Sequence, residues 1–366
     1  MTVTHRTQYI TSIQRDAWIE INILALERNF EKIKGLVKTD IMAVVKADAY
    51  GHGAATLGPV LQSLGVNSFG VATVDEGISL RAAGIKVPIL ILGATPFWAS
   101  ESCIENNLTI SVYSKEQIKL LEESAKKADT RIKVQIKIDT GMNRLGISYK
   151  DSKKEIEYLI NNKSFEVQGI FSHLSTSHNT DFSLLQKERY DKAIEPFKNL
   201  NLQRHLANSY AAINYPDFRY NLVRTGIALY GEEFNFLEPV LSLKGRITHL
   251  NKISSGKPVS YDRTWSSKEE STIATIPIGY ADGVDKKLSN RIFGKLNNNQ
   301  VEQAGNITMD QMMFNVTRVN NPQIGDVITL LDNELTINSW AKTLDTISYE
   351  LLCRLKMRLP RIYTRE

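Results

Sequence analysis

Short β-branched runs alternate with longer stretches of helical period over the first two-thirds of the chain, and this alternation restricts the fold more than any other feature. The apolar runs are IMAVV (from Ile41), SFGVAT (from Ser68), VPILIL (from Val87), LTISV (from Leu108), RIKVQIKI (from Arg131), FEVQGIF (from Phe165), a short piece around Leu206 and YNLVRTGIALY (from Tyr220). Between them, segments such as ILALERNFEKIKGLVK (from Ile23), SKEQIKLLEESAKKA (from Ser114) and SLLQKERYDKAIEPFKNL (from Ser183) repeat apolar residues every three or four positions, as helices do. Gly65 and Gly84 stand where helix stops belong. About eight strands alternating with helices predict a parallel sheet of the α/β class, and the count favours a closed (β/α)8 TIM-like barrel over residues 23–236. An open doubly wound sheet competes, but no G-x-G-x-x-G follows an early strand.

The texture changes near Glu238. LEPVLSLKGRITHLNKI, TIATIPIGYADG and GDVITLLD alternate with turns, with little helix before about Ser339. A C-terminal mostly-β domain over residues 237–366 is expected, joined by the N-terminal strand AWIEIN at 17–22. The length of 366 residues suits two domains, and 42% hydrophobic residues suffice for a sizeable core. The 45 basic and 40 acidic residues are spread along the chain, which argues against nucleic acid as a partner. No run approaches the roughly 20 apolar residues of a membrane helix, so no membrane partner is expected. Cys103 and Cys353 make neither a disulfide framework nor a cysteine-rich zinc site, and no metal is expected. The first twenty residues lack a signal-peptide core, so the expected compartment is cytoplasmic.

In such a barrel the reactive groups sit at the C-terminal ends of the strands. Lys46 closes MAVVK and is followed by ADAYGHG. Burial at the end of an apolar run lowers an ammonium pKa and suits the amine to Schiff-base chemistry. A strand-end lysine reaching out to solvent is the plainer reading. Tyr50, Gly51, His52 and Gly53 form a compact turn that reads as a ligand loop leading into a helix.

AVVKADAYGHG resembles the cofactor-lysine signature of the alanine racemases, which carry pyridoxal 5′-phosphate. IKIDTGMNRLG (from Ile136), FSHLS (from Phe171), HLANS (from His205) and VRTGIALYG (from Val223) follow in that family's order. So do VSYDRTW (from Val259), IPIGYADG (from Ile276), GNITMDQ (from Gly305) and RLPR (from Arg358). The resemblance covers most of the chain and implies a barrel plus a β domain. It implies racemisation of L- and D-alanine, supplying D-alanine for peptidoglycan, in a homodimer with shared active sites.

Residue by residue, the resemblance gives Lys46 the cofactor, as an internal aldimine, and one of two acid/base roles. Tyr261 of the partner subunit takes the other, on the opposite face of the substrate α-carbon. Two groups on opposite faces let one remove a proton while the other returns one. A free phenol is a poor base at neutral pH, so the role asks for surroundings that favour its anion. Arg224 matches the arginine at the cofactor's pyridine nitrogen, which a guanidinium leaves unprotonated. Arg144 matches the arginine near the substrate carboxylate. Lys137 matches a position often carbamylated; pairing with an acid such as Asp139 is its plainer reading. His173 matches the histidine packed on the cofactor ring, and His205 a histidine beside Arg224. Tyr50, Ser209, Gly226 and Ile227 match the phosphate cradle, the last two through backbone N–H groups. Tyr280 and Met309 match residues that enter from the partner subunit and line the substrate.

Three positions depart from the family pattern: Met357 where tyrosine is common, Asn306 where arginine is common, and His178 where an acid is common. All three are expected in the access channel or the outer shell. Two other readings share parts of the pattern. A non-catalytic pyridoxal-phosphate-binding protein needs only the barrel, and the β-rich tail with Tyr261 argues against it. A basic-amino-acid decarboxylase of related fold needs a glycine-rich phosphate loop and a catalytic cysteine that are not seen. A serine or broad-specificity amino-acid racemase shares every catalytic residue.

Overall fold

The β-branched runs of the sequence become strands that lie parallel, each connected to the next through a helix or a short helical turn, in a computed structural model that describes residues 14–365. After β1 (Ala17–Asn22) come β2 (Asp40–Val44), β3 (Ser68–Val71), β4 (Ile89–Ile91), β5 (Thr109–Val112) and β6 (Ile132–Asp139). The two-residue β7 (Ile147–Ser148), β8 (Phe165–Phe171), β9 (Gln203–His205) and β10 (Leu222–Thr225) follow. Eight of them form one sheet in the order β10-β2-β3-β4-β5-β6-β8-β9, with β7 attached to β6. The sheet is nearly closed into a barrel: at the seam the Arg224 N–H donates to the Ala207 carbonyl at 3.1 Å. The Asn221 side chain completes the seam, accepting from the Arg204 N–H at 2.6 Å and donating to the Leu202 carbonyl at 2.9 Å.

Barrel strands are covered on both faces, which explains runs such as SFGV, ILI and TISV that are buried throughout. Met42, Leu90, Phe171 and Leu222 pack as one buried cluster. Strand β6 is the exception in sequence. Its apolar residues Ile132, Val134, Ile136 and Ile138 alternate with Lys133, Gln135, Lys137 and Asp139. Successive side chains of a strand face opposite ways. The Lys137 ammonium lies 5.5 Å from the Phe171 ring centroid, so the polar set of β6 faces the barrel interior. The helices end where expected: Gly65 and Gly84 adopt φ of +94° and +89° just beyond helices Ala54–Ser63 and Val74–Ala82.

This barrel unit comprises Asn29–Ala49 and Gly53–Leu229. The other compact unit contains residues 14–28, the segment Tyr50–His52 and residues 230–365. Its strands are β11 (Leu241–Arg246), β12 (His249–Ile253), β13 (Pro258–Val259), β14 (Trp265–Ser266) and β15 (Ser271–Ile276). They continue with β16 (Phe293–Leu296), β17 (Asn299–Gln303), β18 (Met312–Asn315), β19 (Val327–Leu331) and β20 (Arg361–Thr364). Nine strands make one sheet in the order β12-β15-β18-β17-β16-β19-β11-β1-β20. β1 pairs antiparallel with β11 and parallel with β20, so the first and last strands are neighbours. β13 and β14 form a separate hairpin, with Val259 opposite Trp265, that presents residues 260–264 as its tip. Helices Ile337–Leu344 and Ser348–Arg354 precede β20.

Candidate active site

Because the barrel strands are parallel, their C-terminal ends share one rim, and the polar residues picked out in the sequence gather there. Lys46 follows β2, Lys137 lies near the end of β6, His173 follows β8, His205 ends β9 and Arg224 lies in β10. Ser209 and Gly226 stand in the turns after β9 and β10.

Lys46 opens an unusual turn. Ala47, Asp48, Ala49 and Tyr50 have φ between +52° and +54°, and Gly51 has +82°, so the chain makes one left-handed helical turn. The left-handed conformation costs on the order of 1–2 kcal/mol for each residue with a Cβ. Local bonds offset this. The Ala47 N–H donates to Glu76 Oε1 at 2.7 Å and the Ala49 N–H to the Val45 carbonyl at 2.8 Å. Asp48 Oδ1 accepts from the Ala54 N–H at 2.7 Å, and its carbonyl from the Gly53 N–H at 2.9 Å. The compact turn expected at Tyr50–Gly53 follows, with Gly51 and Gly53 at positive φ, and leads into helix Ala54–Ser63. The left-handed turn leaves Lys46 exposed in the single chain.

Arg224 is buried, and both of its terminal nitrogens are consumed. Nη1 donates to His205 Nδ1 at 2.6 Å and to the His205 carbonyl at 3.1 Å. Nη2 donates to the carbonyls of Ser172 and Leu206 at 2.8 and 2.9 Å and to His173 Nδ1 at 3.0 Å. His205 Nε2 faces Gln135 Oε1 at 2.6 Å, and an amide oxygen only accepts, so Nε2 carries the proton and Nδ1 is a free acceptor. Burial first, and then the Arg224 charge, hold both His173 and His205 well below the usual histidine range, so both rings are neutral. Burial also lowers Arg224 itself to about 10, which still leaves it protonated at neutral pH. Among the described residues no carboxylate bonds this guanidinium.

Lys137 is only 5% exposed, and burial brings its pKa down to about 8, with Arg144, Arg224 and Lys46 adding repulsion. Pairing with Asp139 does not occur. Asp139 Oδ1 instead accepts from the N–H groups of Gly141, Met142 and Asn143 at 2.9, 3.0 and 3.2 Å, shaping the loop that carries Arg144. Arg144 is exposed and makes no ion pair among the described residues. The rim is therefore a field of positive charge around a buried amine, suited to anionic ligands.

The turns after β9 and β10 supply donors for such a ligand. Ser209 Oγ accepts from the Gly226 N–H at 3.0 Å and the Ala228 N–H at 3.5 Å, and Ile227 opens the turn between them. Next to Gly226, the buried Thr225 hydroxyl has no partner. A hydroxyl with successive main-chain N–H groups and an unpaired buried hydroxyl fits a phosphate monoester. His178 packs against Tyr210, ring centroids 4.0 Å apart.

In the other unit, Tyr261 sits on the hairpin tip and is 70% exposed. Its neighbours Ser260, Asp262 and Arg263 have φ of +66°, +58° and +52°. Asn306 is 7% exposed and lies against this tip. Tyr280 and Met309 are exposed on segments stapled together: the Tyr280 N–H donates to the Thr308 carbonyl and the Ala281 N–H to the Met309 carbonyl, both at 2.9 Å. The buried Asp282 anchors them, held by Arg15 Nη2 at 2.7 Å and Arg358 Nε at 2.9 Å. Tyr50 is buried, its ring 5.3 Å from that of Tyr230. Met357 is 76% exposed.

The profile of the alanine racemase N-terminal domain matches residues 21–233, and that of the alanine racemase C-terminal domain matches residues 240–363. The chain belongs to the alanine racemase family, a family of isomerases. The alanine racemase of Nostoc sp. is 38% identical over 367 aligned residues, covering 94% of this chain and 95% of its own. Alanine racemase 1 of Clostridium acetobutylicum is 34% identical, covering 95% of each. Among solved structures, the alanine racemase of Clostridium difficile 630 matches with a TM-score of 0.92 and 35% identity over 96% of this chain and 97% of its own. That of Bacillus anthracis with bound L-Ala-P matches with a TM-score of 0.86 and 31% identity, covering 96% of this chain and 95% of its own.

Three residues that matter in this racemase-family site were not singled out from the sequence. Gln135 fixes the His205 tautomer, Glu76 pins the Lys46 turn, and Gln186 Nε2 donates to the His173 carbonyl at 3.1 Å. Gln135 had a signal: a polar residue at an inward position of a barrel strand.

Proposed function

We propose that this chain interconverts L- and D-alanine with pyridoxal 5′-phosphate, using Lys46 of one protomer and the partner subunit's Tyr261 as opposed proton-transfer groups. The observation that carries the reading is the guanidinium of Arg224, protonated, buried and satisfied by two neutral imidazoles and three carbonyls. When bound, the cofactor supplies an electron-accepting ring that acidifies the substrate's α-C–H. Lys46 would hold it through Nζ and would move a proton at one face of the α-carbon. The partner subunit's Tyr261 moves a proton at the other face. Among the described residues no carboxylate bonds Arg224, so beside the ring nitrogen it would leave that atom without a proton and would restrain electron withdrawal. This favours proton return over loss of the amino group.

Ser209, the N–H groups of Gly226 and Ile227, and Tyr50 would hold the phosphate. His173 would pack on the ring and His205 would steady Arg224. Arg144, with its two-pronged donor set, would hold the substrate carboxylate, and Tyr280 and Met309 of the partner subunit would bound the space for the side chain. Lys137 fits carbamylation: a neutral amine attacks carbon dioxide and loses one proton, giving an anion between Arg144 and Arg224. D-alanine made this way suits peptidoglycan synthesis.

The test is direct. Borohydride reduction of the cofactor-loaded protein should fix a pyridoxyl group on Lys46, read by peptide mass, and chiral chromatography should show each alanine enantiomer converting to the other. A label elsewhere, or no conversion of alanine alongside conversion of serine or a bulkier amino acid, refutes the assignment.

A further inference from the structure

We infer that Asn306 is the positioning residue for Tyr261, holding the main chain of the hairpin tip so that an otherwise exposed phenol has a fixed reach. The inference rests on the reading of Tyr261 as a proton-transfer group. The ring is 70% exposed, so its own packing does not place it; the placement comes from the backbone beneath. One residue makes most of the tip's hydrogen bonds, with Asn290 Nδ2 adding one to the Thr264 hydroxyl at 3.0 Å. Asn306 Nδ2 donates to the Tyr261 carbonyl at 3.0 Å and to Asp262 Oδ2 at 2.9 Å. Its Oδ1 accepts from the Thr264 hydroxyl at 3.4 Å, and its main-chain carbonyl accepts from Ser260 Oγ at 2.6 Å. Four of the five tip residues are thus tied to Asn306, at a place where Ser260, Asp262 and Arg263 all have positive φ.

The approach is close by construction. A Cβ on Gly305, whose φ is +79°, would fall 2.4 Å from the Val259 carbonyl oxygen, so only glycine lets residue 306 come this near the tip. The chemistry also suits an amide specifically. The site asks for two donors toward the Tyr261 carbonyl and the Asp262 carboxylate and one acceptor toward Thr264. Asparagine offers both kinds, whereas the arginine common in the family at this position donates only. In this chain the tip is therefore held by an amide that matches it on both sides.

The readout must separate the two faces of the substrate. The enantiomers are equal in free energy, so kcat/KM falls equally in both directions whichever group is damaged. Exchange of the α-hydrogen with deuterium oxide, followed separately for each enantiomer, does distinguish the faces. Tyr261→Phe identifies which enantiomer exchanges through the phenol. Asn306→Ala should slow that same exchange on the order of 10–100-fold, because small displacements of a reacting group cost about that much, and leave the other within about twofold. Asn306→Asp, of the same size but facing the Tyr261 carbonyl and Asp262 with an acceptor, should do at least as much. Thr264→Val, which removes the hydroxyl given to the amide oxygen together with the acceptor of the 3.0 Å bond from Asn290 Nδ2, should act in the same direction by less, and serves if the Asn306 variants fold poorly. Equal loss of both exchanges at unchanged pyridoxyl content, or no change in either, would overturn the positioning role. If Tyr261→Phe keeps both exchanges, the proton-transfer reading of Tyr261 is what fails.

Discussion

Replacing Lys137 by methionine should make the cofactor-free protein more stable at neutral pH, by an amount that follows from its surroundings. The folded chain holds this amine at about 8, against an ordinary value of 10.5. Below about pH 8 both folded and unfolded chains carry the proton, and the folded state bears the whole cost of a buried charge among cations. Between 8 and 10.5 the folded chain sheds a proton that the unfolded chain keeps, so the cost shrinks as pH rises, and above 10.5 it is gone. A shift of about 2.5 units at roughly 1.4 kcal/mol each amounts to about 3 kcal/mol. Methionine keeps the length and apolar stem without the charge. In buffer free of carbon dioxide, Lys137→Met should therefore gain up to about 3 kcal/mol at pH 7, and that gain should narrow toward pH 10. The measurement is the urea midpoint of both proteins across pH 7–10. Added bicarbonate near pH 8 should then raise the midpoint of the wild type alone, because only the lysine can become an anion facing Arg144 and Arg224. A variant no more stable than the wild type at pH 7, or a gain that does not depend on pH, would refute the reasoning.

Two further outcomes follow from the site. Mixing inactive Lys46→Ala and Tyr261→Phe proteins should restore about a quarter of wild-type activity: about half of randomly exchanged dimers are hybrids, and each hybrid has one intact site of two when sites are shared. No recovery after proven subunit exchange would place both groups in one chain. Gln135→Leu should cost about 1–3 kcal/mol, measured by denaturant midpoint, because it leaves the buried His205 Nε2–H without an acceptor. An unchanged midpoint would show that His205 had taken the other tautomer.

Much of the barrel was legible because its signals are local. The runs around Ile41, Phe69 and Ile110 are buried on both faces, and the glycines at 65 and 84 end helices by conformation alone. The alternation of RIKVQIKI was legible too, but its meaning needed the barrel: a strand with polar residues facing a closed interior marks a site. The turn at 47–51 was not legible, since Ala-Asp-Ala-Tyr has no preference for left-handed backbone, and Glu76 and Asp48 impose it. Asn306 was expected in the access channel or the outer shell, and its sequence neighbourhood says nothing of the hairpin tip 42–46 residues earlier to which it bonds. The exposure of Lys46 has the same origin, a loop geometry fixed by distant partners. What the sequence could not convey, in each case, is a hydrogen bond between residues far apart in the chain.

The adjacency of β1 and β20 imposes an order on biosynthesis. Every barrel strand has been made once Thr225 is in place, so that unit can take shape while the ribosome is still working. The larger sheet cannot: Ile19 has to wait for Arg361, and Ile21 for Tyr363. Until then one edge of β1 lacks its neighbour, which makes residues 17–22 the stretch of this chain with the longest wait for a chaperone to guard.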